Sequence, residues 1–270
     1  MKPWQKAARY CAIGFAIILT ANIIGWAAGL LGLVLVDSDS VITEESRSFE
    51  FSADAQSLEI EISMARLTLK AEDCEKITVK TNLKNLTAKE SGGKLKIKDM
   101  TKVKRRADSA FVEVIYPSGT VFENVDINSG AGRFEIHSLT CASFDLDLGA
   151  GETVIDSLTV SEQADIDGGA GALTFLNADI CAIDLDMGVG ALDFDGILRG
   201  RSDVSLGVGE AIFTLRGNKE GYTLDLEKGM GEITVDGSEV GNSKIGTGSA
   251  FIKIEGGVGN IKIDFDNDAV

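Results

Sequence analysis

The chain has 270 residues, 44% of them hydrophobic, with 31 glycines, 4 cysteines and 1 histidine, a composition that can enclose a sizeable core. Its net charge of -16 is unevenly spread: residues 128–270 hold 25 Asp and Glu against 9 Lys and Arg, whereas residues 1–127 hold 17 of each. The second half has no basic stripe to displace counter-ions from a polyanion, which argues against nucleic acid as its partner.

In chain order, the first element is the uncharged 26-residue run Cys11 to Val36. As a helix it would be about 39 Å long, against about 30 Å of hydrocarbon in a bilayer. It predicts one transmembrane helix over 11–36, between a cytoplasmic tail (1–10) and a linker (37–47). Lys2, Lys6 and Arg9 precede the run while Asp37 and Asp39 follow it. The positive-inside rule then makes this a single-pass protein of the cell membrane, with its N-terminus in the cytoplasm and the remainder extracytoplasmic. A cleaved signal peptide is the alternative, disfavoured by the length of the run and by the lack of a small-x-small site at its end. Gly25 and Gly29 would allow two such helices to approach closely, with Asn22 bonding across them, so a homo-oligomer through this helix is one possible partner arrangement.

Residues 48–127 read as an irregular β region that caps the repeats of the second half. Short alternating runs such as "SLEIEIS" from Ser57 and "FVEVIY" from Phe111 predict strands, without a repeat. The stretch Lys94 to Arg106 is basic, with Lys94, Lys96, Lys98, Lys102, Lys104, Arg105 and Arg106 as candidates for an anionic ligand, against the plainer expectation of a solvated strand and loop.

From residue 128 the pattern becomes periodic. A glycine-x-glycine recurs with its first glycine at Gly130, Gly149, Gly169, Gly188, Gly207, Gly229, Gly246 and Gly257, mostly 19 or 20 residues apart. Self-similarity at this period is the signature of a solenoid. Around each pair the apolar parity flips: Phe144, Leu146 and Leu148 precede Gly149, whereas Ile155 and Thr153 follow Gly151. A one-residue slip would turn the side chains over unless the backbone bends there. The pattern predicts an all-β, single-stranded β-helix or β-solenoid over 128–265 in coils of about 20 residues, with glycine corners whose middle residue fills the inside, followed by an acidic tail (266–270).

The glycine pairs are not a phosphate cradle, because strand-patterned "ETVID" and "ALTFL" follow where a helix would be needed. They also lack the aspartate of a calcium β-roll. The stacked coils would instead align Asp145, Asp147, Asp165, Asp167, Asp184, Asp186, Asp203 and Asp225 as an outward acidic ladder. Neighbouring carboxylates about 5 Å apart repel by about 1 kcal/mol in water. Calcium could relieve this, while a solvated face that keeps the rod soluble is the simpler expectation; no other cofactor is indicated. His137 has no nucleophile motif beside it, so no catalytic residues are assigned.

The apolar N-terminal run, the irregular β segment ending at "VIYPSG" (Val114 to Gly119), "VDINSGAG" (Val125 to Gly132) and the repeats together resemble a bacterial family of β-strand-repeat proteins known as putative adhesins. The resemblance spans about Phe49 to Phe265. It implies a stacked β fold outside a bacterial membrane and brings no catalytic residues. The expected function is a membrane-anchored surface binding or scaffolding module, non-enzymatic, with a surface protein or cell-wall polymer as partner. The alternatives are an accessory component of envelope-stress signalling and a polysaccharide-active β-helix enzyme.

Overall fold

A computed structural model describes residues 42–100 and 109–266. The expected membrane helix with Asn22, Gly25 and Gly29, and the basic residues Lys102, Lys104, Arg105 and Arg106, lie outside the described residues. Among the described residues no helix is long and apolar enough to cross a membrane.

The described residues are all-β, and their strands form one solenoid-like stack. Five long strands carry its middle: β8 (Phe122–Ile136), β9 (Leu139–Ile155), β10 (Leu158–Ile180), β11 (Ile183–Leu198) and β12 (Arg201–Arg216), each parallel to the next. In register, Ala131, Ala150, Ala170, Val189 and Val208 form one column, so each glycine-x-glycine corner stacks on its neighbour. The parity flip places the apolar side chains on one side of the bent strand. Leu146 and Ile155, on opposite sides of the corner, are both buried, as are Leu185 and Phe194 two turns further on.

Two columns of glycine are required by the stacking itself. A Cβ on Gly188 would lie 2.5 Å from the carbonyl oxygen of Gly169, and one on Gly190 would approach the Gly171 carbonyl 0.8 Å closer still. Gly190 also has φ +151°, a conformation that side chains rarely adopt. The middle residues of the corners are half-buried, Ala150 and Ala170 lining a small cavity with Phe134, Leu173 and Met187, and Met230 in the outermost layer is 61% exposed. Deeper inside, Ile136, Ile155, Phe175, Phe194 and Phe213 form a continuous column. Its phenylalanine rings are 5.4 and 6.1 Å apart, and each buried side chain contributes about 1.5–3 kcal/mol.

The solenoid begins earlier than the glycines do. β2 (Ser57–Met64) and β3 (Arg66–Glu72) run parallel to β8, and Met64 pairs with Ala131, so Ser63-Met64-Ala65 forms the first corner. Non-glycine residues are tolerated here because the next layer outward is split into β6 (Lys94–Asp99), parallel to β2, and β7 (Phe111–Pro117), parallel to β3. Antiparallel strands close this end. β5 (Leu86–Ser91) lies on β6, β4 (Lys76–Leu83) lies on β7, and β1 (Ile42–Ser52) lies on β4.

The other end departs from chain order. β17 (Ala250–Asp266) is parallel to β12, and outside it lie β13 (Tyr222–Glu227) and β14 (Ile233–Val235). These are covered by the antiparallel β16 (Ser243–Gly246) and β15 (Ser238–Val240). Gly246 is therefore an edge residue opposite Thr223, not the corner of a further coil. Gly207 and Gly257 are 50 residues apart although their coils are adjacent, and Ser63 and Gly130 are 67 apart. Both caps are thus insertions in the return of a single coil, folded back over its outer side.

Candidate functional site: a carboxylate ladder on the lateral face

Parallel in-register stacking turns a sequence repeat into a surface array. One column runs Glu59, Asp126, Asp145, Asp165, Asp184, Asp203, Lys253, Asp225. The second, two residues along each strand, runs Glu61, Asn128, Asp147, Asp167, Asp186, Ser205, Glu255, Glu227. Successive members sit one strand spacing apart, about 4.8 Å. The structure thus brings Asp145, Asp147, Asp165, Asp167, Asp184, Asp186 and Asp203 together. It separates Asp225 from Asp203, because β17 intervenes and puts Lys253 between them. Asp126 heads the aspartate run and was missed, although "VDINSGAG" carries the same pattern as the later copies.

The middle of this face has little counter-charge. Arg201 bonds Asp203 at 3.2 Å, and Asn128 donates to Asp147 at 3.2 Å. Among the described residues Asp145, Asp165, Asp167, Asp184 and Asp186 have no salt-bridge partner. Desolvation between the coils, reinforced by neighbouring carboxylates, raises the carboxyls of Asp126, Asp145, Asp167 and Asp184 above the ordinary aspartate value. No three acidic, histidine or cysteine side chains among the described residues converge as a metal site. The columns present a line of charge rather than a coordination shell.

At the head of the columns the charge is answered within the chain. Lys94 Nζ lies 2.5 Å from Glu59, Lys96 bridges Glu59 and Glu61, and Lys98 pairs with Glu61. Hydrogen bonds from Lys94 and Lys96 hold Glu59 down at about 2. Lys94, Lys96 and Lys98 therefore stand at the end of the lateral face, paired with its first two carboxylates. They were placed apart because the parallel pairing of β6 on β2 has no signature in local sequence.

His137 Nδ1 is 2.7 Å from Asp156 on the exposed return between two coils. Among the described residues Cys74, Cys141 and Cys181 form no disulfide, and burial pushes the Cys141 thiol up to about 12. On the same side as the returns, Arg216 joins three coils: it donates to Asp195 at 2.7 Å, to Asn177 at 2.6 Å and to the Leu176 carbonyl at 3.0 Å.

Comparison with known proteins places the architecture. Residues 42–267 match the family described as Toastrack DUF4097. A crystal structure of a putative adhesin from Bacteroides fragilis is similar, with 13% identity, 82% of this chain and 98% of that chain covered, and a TM-score of 0.50. Further likenesses are a putative lipid binding protein from Parabacteroides distasonis (13% identity, 85% and 96% covered, TM-score 0.40) and a putative cell adhesion protein from Clostridium sporogenes (16%, 82% and 100%, 0.36). No curated protein matches the chain.

Proposed function

The chain belongs to the Toastrack DUF4097 family, and from that premise we propose that it is a non-catalytic, membrane-anchored module that binds or scaffolds partners outside the membrane through its acidic lateral face. The observation that carries this reading is the paired column of aspartates, held at a fixed spacing and largely without counter-ions in its middle coils. A rigid parallel stack presets their positions, so a partner bearing cations at similar intervals loses little freedom beyond its own. Such a partner is a lysine-bearing surface protein or an amine-bearing wall polymer. Calcium acts on this face as a diffuse counter-ion, because the carboxylates line up without converging. The name given to the Bacteroides fragilis protein supports surface binding as the general role.

The test is a pull-down from envelope extracts with the full chain in detergent, run in calcium and in chelator, beside the variant Asp145→Asn/Asp165→Asn/Asp184→Asn. Partners should be lost from the variant and weakened by calcium and by 0.5 M salt. Retention of the same partners by the variant would remove the lateral face from the function.

A further inference from the structure

The outer edge of β17 is covered in pieces, as the outer edge of β2 and β3 is at the other end of the stack. On its inner side β17 pairs with β12 along the whole of Arg201–Arg216, interrupted only at the glycine corner. On its outer side the pairing comes in pieces: Tyr222–Glu227, a lone bridge from Met230 to Val258, then Ile233–Val235. Those pieces belong to the insertion 217–249, which leaves and rejoins the solenoid through short connections at residues 217–221 and 247–249. A Cβ on Gly217 (φ +99°) or Gly221 would meet nothing within 4 Å, whereas one on Gly248 would collide with the Gly221 carbonyl carbon, so the outgoing and returning connections pass close together. The insertion buries Tyr222, Leu224, Leu226, Ile233 and Val235 against the end of the core. It also brings Asp225 opposite Lys253, with Glu227 3.8 Å from the Lys253 ammonium.

We propose that the outer edge of β17 is a strand-accepting site, that residues 217–249 occupy it in cis as a lid, and that the lid opens as a unit while the coils stay folded. The partner that fits the uncovered edge is an extended segment running parallel to β17 and alternating apolar with acidic residues, the pattern of the lid's own "YTLDLE". Its backbone would take the bonds that the lid now makes, among them Gly259 N–H to the Met230 carbonyl at 3.0 Å and Ile261 N–H to the Glu232 carbonyl at 2.8 Å. Its alternate apolar side chains would close the core, and its carboxylates would meet Lys253. This site is at the end of the rod and does not depend on what the lateral face binds.

Thr234 and Lys262 are register partners across the lid and β17, half-buried and exposed respectively, so Thr234→Cys/Lys262→Cys can lock the lid by a disulfide. The experiment uses the full chain in detergent and a labelled peptide of residues 221–236 as probe. The reduced variant should bind the peptide and the oxidised variant at least tenfold less, with reduction restoring binding. Hydrogen exchange on the same samples should show the Gly259 and Ile261 amides opening with the lid, at least about 100-fold faster than amides of β10 and β11, and slowing on oxidation. Equal peptide binding in both redox states, or none to the reduced form, overturns the proposal. So does exchange at Gly259 and Ile261 that matches β10 and β11 in the reduced chain.

Discussion

Replacing Gly190 with alanine tests whether the stacking of corners limits the stability of the rod. The new Cβ would lie more than an ångström inside its closest tolerable approach to the Gly171 carbonyl oxygen, with the Gly171 carbon at 2.8 Å and nitrogen at 3.0 Å. That neighbour is backbone and cannot swing aside, so the two coils must part locally. At a strand spacing of about 4.8 Å, an added ångström takes the flanking N–H···O bonds beyond useful length. Losing two or three of them costs about 1 kcal/mol each, and holding alanine at φ +151° adds about 1–3 kcal/mol. The expected loss is about 3–6 kcal/mol, or roughly 10–20 °C in Tm for a domain of this size. Thermal and urea melts followed by circular dichroism measure it. Gly188→Ala, with a 2.5 Å clash and an unstrained φ, should fall between Gly190→Ala and Gly221→Ala, where nothing lies within 4 Å and the change should stay within about 1 kcal/mol. If Gly190→Ala melts within 1 kcal/mol of the parent, or Gly221→Ala is as damaging, the stacking argument fails.

Three other outcomes are expected from the geometry. The raised carboxyls of Asp126, Asp145, Asp167 and Asp184 bind protons more readily folded than unfolded, so stability should rise as pH falls from 7 through their folded values. Glu59, held at about 2, and Glu61, also lowered, act oppositely: their stabilisation is present above 4.5 and is lost as pH drops further. Tm measured from pH 7 to pH 2 should therefore pass through a maximum, and Asp145→Asn/Asp167→Asn should flatten its neutral side; a steady fall from pH 7 contradicts the ladder. The Ser202 hydroxyl is fully buried and has no hydrogen-bond partner among the described residues, so Ser202→Ala should stabilise the protein by about 1–2 kcal/mol in urea melts. Arg216→Ala should cost about 1–2 kcal/mol through three coils at once, whereas the more exposed Arg199→Ala, losing only Asp179, should cost under about 0.5 kcal/mol in the same assay.

The coils were legible because one physical rule, period two with a slip at each corner, acts within a few residues. The ladder came with it: if Gly149 stacks under Gly169, Asp145 must stack under Asp165. The first coil escaped notice because Ser63 and Ala65 meet no opposing corner and so need not be glycine. Its parity still flips, from Ile60 and Ile62 to Leu67 and Leu69, all four buried. The placement of β17 was hidden for a different reason. Which strand fills the space beside β12 is decided by tertiary competition among similar segments, and the uneven glycine steps after Gly207 were its trace. The turn Asp236-Gly237, with φ of 46° and 73°, joins β14 to β15 as a tight hairpin and marks where the coil pattern stops.

The reversed order at the β17 end has a consequence for synthesis. The first coil, β2 and β3, is followed immediately in the chain by the strands that cover it, so a nascent chain can finish that end before β8 appears. Each later coil then adds to an open edge as it emerges. At the far end the sequence of events inverts: residues 217–249 leave the ribosome before β17 does, while the edge of β12 stands open and "YTLDLE" resembles the strand that belongs there. At about 5–20 residues per second the rival has this edge to itself for roughly a second or more. Assembly of the last coil therefore waits for residue 266, and β17 must displace any early pairing of 222–227 with β12 before the stack closes.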